Sequence, residues 1–541
     1  MRAKSQCLVD KTMLIHHFFQ SPSIIGAVLY PRRFGKSSNL DMIRKFFEMN
    51  YQQPNDLTNI SPYFFGGKIM KGNSSIILEE TKIAKSKSFV NKQLGQYPVI
   101  YLDLKQCTGS TPDEIETNLN LMINKEFRRH EYLESSDRIS EDLKNQYRFF
   151  RDNKNINTQE KGHSFEFLSE ILFKQWGKKV MVFIDECDYL ISQIFLYSTD
   201  SNIQTYENQI ELVIHLFQPI FSNLLKTNSN VRKALLTGVM HIENARFLSC
   251  LNNMVEFNIY NPNYTKGFYG FTEEDIEFLK KNLKIPQKFP VKKWYHSYIV
   301  DKIPIYNPWS IVLCFNSILT QFSFNNEDYK DIKKKSFRDH WIATGKITIL
   351  SEAFKSTKIR EIIEKMIEND STYECSKNIQ IEEKKYLELM KVAKFFNNRF
   401  DSLNISLIEL LFKLLLVSGY LTIDHKDQNS FFLKIPNTEI KKEFQKMLIA
   451  FYFKTHNVNL NIASKALSEL IDIDWKDNNL LSGAISNLSQ QLSIMLQSYP
   501  DFVRNMEFAE EGAIANEDLI HSLFVTASYS CKCIIRNRNR V

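Results

Sequence analysis

The chain has 541 residues, too many for one hydrophobic core, and its length sets an expectation of two to four domains. Hydrophobic residues make up 43% and charged residues 24%, which excludes a disordered or low-complexity chain and leaves ample material for packed interiors. The net charge of +7 permits contact with nucleic acid but does not argue for it; a mixed solvated surface explains it as well.

None of the eight cysteines forms a C-x-x-C pair, so no zinc site is indicated, and their scatter fits reduced thiols in an intracellular protein, cytoplasmic or nuclear. The N-terminus shows no secretory signal. The most apolar stretch, 405–421, is interrupted by Glu409 and Lys413 and reads as a buried helix, so no membrane partner is expected.

Short, nearly all-apolar runs at 24–30, 99–104, 180–184 and 234–237 have the pattern of strands buried on both faces. Helical stretches lie between them. Residues 39–48 place Leu40, Ile43, Phe46 and Phe47 on one side. Thr111-Pro112-Asp113-Glu114 has the form of a helix start, with a capping Thr, Pro at the first helical position and early acids. A further helix is expected over 165–176. Strands alternating with helices predict an α/β fold, a parallel sheet with helices on both faces, running to about residue 265.

Helical patterns dominate 266–400, beginning with the N-cap signature Thr272-Glu273-Glu274-Asp275. Over 401–458, a strongly apolar helix ends near Gly419. Two short strands follow, at 420–424 and 431–435, around a polar turn. Helix then hairpin is the order of a winged-helix element, and equally of an ordinary αβ packing unit. Residues 459–541 read as further helices ending in a basic tail.

The segment Leu29-Tyr30-Pro31-Arg32-Arg33-Phe34-Gly35-Lys36-Ser37-Ser38 lies between the first strand and the first long helix. A triphosphate needs inward-facing backbone N–H groups at a helix N-terminus, a lysine for the β/γ oxygens and a hydroxyl for Mg²⁺. The loop from Arg32 through Arg33, Phe34, Gly35, Lys36, Ser37 and Ser38 supplies these in the required order, although Tyr30 stands where the generic P-loop pattern asks for its first glycine. The second half of such a site is a carboxylate at the end of a buried strand and a base to orient water. Ile184-Asp185-Glu186 provides both: Asp185, with Ser37, for the metal shell and Glu186 for the water, with Asp188 one turn on. Ala234-Leu235-Leu236-Thr237-Gly238 ends a third strand in a hydroxyl, so Thr237 is a candidate sensor of the γ-phosphate, or a strand-capping Thr before a turn.

Together these residues resemble the AAA-ATPase-like family, whose members often carry a C-terminal PD-(D/E)XK nuclease-like domain. The matching segments include Val9-Asp10-Lys11-Thr12, Pro31 to Ser37, Tyr97-Pro98-Val99-Ile100-Tyr101-Leu102-Asp103 and Ile184 to Asp188. Further matches are Ala234 to Gly238, Leu251-Asn252-Asn253, Tyr269-Gly270-Phe271-Thr272-Glu273-Glu274, Trp294-Tyr295 and Ile305-Tyr306-Asn307-Pro308-Trp309-Ser310. Thr344-Gly345, Gly419-Tyr420-Leu421-Thr422 and Leu433-Lys434-Ile435-Pro436-Asn437 extend the match towards the C-terminus. The resemblance implies an additional-strand P-loop fold with ATP and Mg²⁺ as ligands. The family usually lacks the first P-loop glycine, which accommodates Tyr30, but it usually has Arg there. It often has Arg where this chain has His241. Glu517 and His521 match the spacing that opens the nuclease-like domain, but no further Asp and Glu-x-Lys follow, so the nuclease is expected to be truncated or lost. The function expected is an ATP-binding protein with slow Mg-dependent hydrolysis. Two alternatives stay open: a catalytically weakened paralogue acting as a protein-interaction scaffold, and an ATP-controlled nucleic-acid-binding factor.

Overall fold

The fold is that of a computed structural model describing residues 9–54, 56–71, 74–109, 111–191, 203–239, 242–243, 251, 253–287, 289–296, 298–325, 337, 353–378, 381–382, 385, 388–389 and 405–455, with six further positions between 482 and 490. His241, Thr344, Gly345, Glu517 and His521 lie outside the described residues. The chain divides into two units, Met1–Glu352 with Thr372–Lys441, and Ala353–Ser371 with Lys442–Val541.

The first unit opens with helix α1, Met13–Gln20, then strand β1, Ile25–Leu29, and helix α2, Lys36–Phe47. Strand β2, Val99–Asp103, leads through helices α3, Pro112–Arg128, and α4, Thr158–Trp176, to strand β3, Val180–Asp185. Helix α5, Ile203–Phe221, strand β4, Val231–Gly238, and strand β5, Met254–Asn258, complete this part. The five strands form one parallel sheet in the order β5-β1-β4-β3-β2. This is the expected α/β architecture. β1 and β3 are buried along their whole length, which is why their sequences are continuous apolar runs and not alternating ones.

β5 went unnoticed in the sequence because Glu256 interrupts it; it is an edge strand, and only Phe257 and Asn258 are buried. α2 starts three residues before the expected 39, at Lys36, because Gly35 at φ +87° serves as its N-cap. α4 begins at Thr158, seven residues before the expected 165, where Asn157 and Glu160 form a reciprocal capping box. The expected cap of α3 forms, Thr111 Oγ1 accepting from Glu114 N at 3.3 Å.

Val9-Asp10-Lys11-Thr12 ties the start of the unit to distant segments. Asp10 accepts from Thr12 N at 2.8 Å and from Lys82 N at 2.7 Å. Lys11 Nζ lies 2.5 Å from Asp275 and 2.7 Å from the Gly267 carbonyl. Asp275 also closes the capping box with Thr272 at the start of helix α6, Glu273–Asn282.

After α6, a short hairpin joins β6, Tyr298–Val300, to β7, Ile303–Ile305. Its turn, Asp301-Lys302, is left-handed at both residues, φ +45° and +68°, as a two-residue hairpin turn of the favoured hand requires. Strands of three residues are too short to show a period, so the segment read as helical throughout. Helix α7 is Pro308–Asn325. A three-stranded antiparallel sheet follows, in which β8, Tyr373–Ser376, pairs with β10, Ser430–Lys434, and β10 pairs with β9, Thr422–Lys426. Between β8 and β9 lies helix α8, Ile405–Ser418, which ends at Gly419 at φ +90°. The helix-then-hairpin expectation is met, with a third strand that the sequence did not announce.

In the second unit, the helix Thr357–Glu368 buries Ile359, Ile363, Met366 and Ile367 on one face. Arg360 of this helix lies 4.7 Å from the Phe451 ring. Among the described residues, no helix is long and apolar enough to cross a membrane.

Candidate functional site

The sheet register sets the ends of the strands side by side. Leu29 pairs with Gly238 and with Asn258, and Asp103 with Asp185. Parallel strands therefore deliver the segments after β1, β3 and β4 to one edge, the C-terminal edge at which α/β sheets bind ligands.

After β1 the chain turns inward at Tyr30, which is fully buried with its ring 5.0 Å from that of Tyr269 and its hydroxyl 3.3 Å from Thr265 Oγ1. At the place of the generic first glycine, a large side chain thus packs into the core, away from the loop. The loop then passes through Arg33 at φ +69° and Gly35 at φ +87°. A Cβ at Gly35 would meet nothing within 4 Å. The space in front of Gly35 is open, and the backbone dihedral is what favours glycine there.

Lys36, the first residue of α2, is only 5% exposed. Its Nζ donates to the carbonyls of Tyr30, at 2.8 Å, and Pro31, at 3.0 Å. Burial lowers the pKa of Lys36, and the charges of Glu186, Asp188 and Asp185 work against that fall. The same pairing appears from the other side: burial raises the pKa of Glu186, Lys36 opposes the rise, and Asp188 and Asp185 add to it. The loop lysine and the acids after β3, separated by about 150 residues, occupy one electrostatic site.

Asp185, 6% exposed, accepts from the Thr237 hydroxyl through Oδ1, and the same oxygen accepts from Glu186 N at 3.1 Å. Glu186 itself is left-handed at φ +53° and half-buried, an outlying backbone at the mouth of the strand edge. Asp188 accepts from Val239 N at 3.0 Å. Gly238 makes room for this: a Cβ there would lie 2.5 Å from Asp188 Oδ1 and 3.0 Å from Cys187 Sγ.

The remaining loop residues divide by environment. Ser37 is exposed and Ser38 half-buried at the start of α2. Phe34 is buried, its ring edge-on to Tyr298 at 5.1 Å, and its carbonyl accepts from Gly270 N at 3.1 Å. The Arg33 guanidinium lies 4.2 Å over the Trp309 ring, and the Arg32 carbonyl accepts from Asn307 Nδ2 at 3.4 Å. The segments 269–270, 298 and 307–309 therefore brace the loop from outside the sheet. In the sequence, Asn307 and Trp309 belong only to a segment that resembles the family, with no role attached; their hold on the consecutive loop residues Arg32 and Arg33 is visible only in three dimensions.

Residues 1–247 match the AAA-ATPase-like family, described as a predicted AAA-ATPase. The matched segment carries the loop, β3 with its acids and β4 with Thr237, while the bracing residues follow it. An uncharacterised protein in the vnfD 5′ region of Azotobacter chroococcum mcd 1 is similar over 282 residues, with 23% identity, across 51% of this chain and 44% of that protein. The chain thus aligns with less than half of that relative's length.

Proposed function

We propose that the AAA-ATPase-like segment binds ATP with Mg²⁺ and hydrolyses it slowly. The observation that carries this reading is the convergence of Lys36, Asp185 and Glu186 on one strand edge, with Asp185 tied to Thr237. Lys36 neutralises the phosphates, and the backbone N–H groups from Arg32 to Ser38 surround them at the positive end of α2. Phe34 contributes backbone alone, because its ring is buried against Tyr298.

The residues fit Mg²⁺. It takes oxygen ligands and binds through one or two protein groups together with phosphate oxygens, and the exposed Ser37 hydroxyl and the Asp185 carboxylate are such donors. When bound, the ion supplies charge neutralisation of the phosphate oxygens. Glu186 orients and deprotonates the attacking water; its raised pKa keeps it a better proton acceptor than an ordinary carboxylate. Thr237 donates to Asp185, and that bond at the strand edge supports its reading as the sensor of the γ-phosphate.

Following the P-loop domain 1–265, we read 266–400 as a helical region whose first part braces the phosphate loop, 401–458 as a winged-helix element and 459–541 as the terminal region. The order of α8, β9, β10 and β8 favours the second of these. An intracellular location is supported by four free buried thiols at Cys107, Cys187, Cys314 and Cys375.

Calorimetry and phosphate release on purified protein, with Lys36→Ala as control, test the function. Equal ATP affinity in both proteins rejects the phosphate loop. ATP binding without turnover in the wild type leaves the catalytically weakened scaffold as the better description.

A further inference from the structure

A second surface lies at the far end of α2 from Lys36. α2 has 12 residues, so it separates the two places by roughly 18 Å. The surface is a groove of about 640 Å³ between α1 and the segment 85–93. Its floor is aromatic. Phe19 stacks on Phe47 at the end of α2, at 5.5 Å, and meets Phe89 edge-on at 5.5 Å. His16 lies 4.7 Å from Phe89. Phe19, Phe89 and His16 are half-buried, so each presents part of its ring to the groove.

The rim is basic. Lys85, Lys87 and Lys92 line the groove and are exposed, and among the described residues no aspartate or glutamate lines it. Arg232 adds a guanidinium 5.5 Å from the Phe19 ring. Elsewhere in the fold Lys45, Lys161 and Lys174 each stand beside a carboxylate. Gln20, Gln93, Ser86 and Ser88 supply amide and hydroxyl groups between the lysines.

We infer that this groove binds single-stranded nucleic acid, with lysines on the phosphates and bases against the aromatic floor. Cations alone would attract any polyanion. The aromatic floor between them selects a strand whose base faces are free, because a duplex hides those faces in its own stack. Polar side chains along the rim are suited to base edges and sugars. The groove and the phosphate loop use different residues, so strand binding does not need ATP.

The test uses fluorescence anisotropy with a labelled oligo(dT) or oligo(U) of about 15 nucleotides. Combining Lys85→Glu, Lys87→Glu and Lys92→Glu is expected to weaken binding at least tenfold. It should also reduce the slope of log affinity against log salt by about 2, since each contact to a single strand contributes about 0.7. Phe89→Leu keeps an apolar side chain and loses the stacking face; it should weaken binding severalfold and leave the salt slope unchanged. Lys36→Ala should bind the strand as the wild type does. Should the triple variant fail to fold, the three single substitutions, each lowering the slope by about 0.7, carry the same test. Unchanged affinity in the lysine variants overturns the inference. So does equal or tighter binding to a duplex of the same length, or to phosphatidylserine vesicles.

Discussion

Thr237 donates its hydroxyl to Asp185, joining the ends of two neighbouring strands, β4 and β3, at the edge where Lys36 is buried. A buried carboxylate accepts hydrogen bonds or is left to bear its desolvation cost, and here Thr237 and the Glu186 amide satisfy one oxygen. That bond makes the candidate metal-binding acid a fixed element of the fold and links the candidate γ-phosphate sensor to it directly.

Lys36→Ala is expected to abolish ATP binding. The lysine is buried, contrary to the usual picture of a loop lysine waving in solvent, yet its direct partners are the carbonyls of its own loop. Its loss therefore removes the positive charge offered to the phosphates and leaves the strands and α2 intact. Titration calorimetry should show no ATP heat, while the melting temperature stays close to that of the wild type.

Glu186→Gln should retain Mg·ATP and hydrolyse it about 10²–10⁴-fold more slowly. Gln keeps the shape and loses the proton acceptor. Phosphate release at saturating ATP reads the difference. Equal turnover in the two proteins would remove Glu186 from the base role.

Thr237→Val replaces a hydroxyl by a methyl of similar size and strips Asp185 of its side-chain donor. A hydrogen bond to a charged group contributes roughly 1.5–3 kcal/mol, so denaturant unfolding should show a loss of that order. Turnover should fall further than ATP affinity, because the loop of α2 is untouched. A variant with wild-type stability and turnover would mean that the bond carries neither.

The fold should lose stability in acid through Glu126. Burial favours the protonated form of this carboxyl, but the Arg129 charge and the hydrogen bonds from Arg129, with His130 3.8 Å away, outweigh burial and hold its pKa down at about 2. A pKa depressed in the folded state stabilises the protein above the unfolded value of about 4.3. The contribution fades as pH falls from there towards about 2. Glu126→Gln removes one of the two carboxylate partners of Arg129, Glu48 remaining, and the charged acceptor of the Tyr101 amide, and should cost roughly 1.5–3 kcal/mol near neutral pH. Its stability should be flatter than the wild type's between about pH 2 and 4, measured by urea unfolding across that range.

The strands β1 to β4, the loop lysine, the β3 acids and Thr237 were all legible in the sequence. Strands buried on both faces must be apolar throughout, and a loop at a helix start needs Gly, Lys and Ser in that order; both are local demands that local sequence records. Helix starts were less legible, since Gly35 and the Asn157 box set them by backbone angle and by single hydrogen bonds. Strand order was not legible at all. That β4 lies between β1 and β3 is a matter of which edges pair across distant stretches of chain, Ile184 with Leu236 and Ile25 with Ala234, and no local pattern encodes it. The burial of Lys36, the bond from Thr237 to Asp185 and the hold of Trp309 on Arg33 follow from that arrangement. The sequence by itself determined which chemical groups this protein has at the ends of its strands. The tertiary structure decided that they meet, because parallel pairing in register brings the ends to one edge, and that a later segment braces the loop, because only packing sets Asn307 and Trp309 beside it.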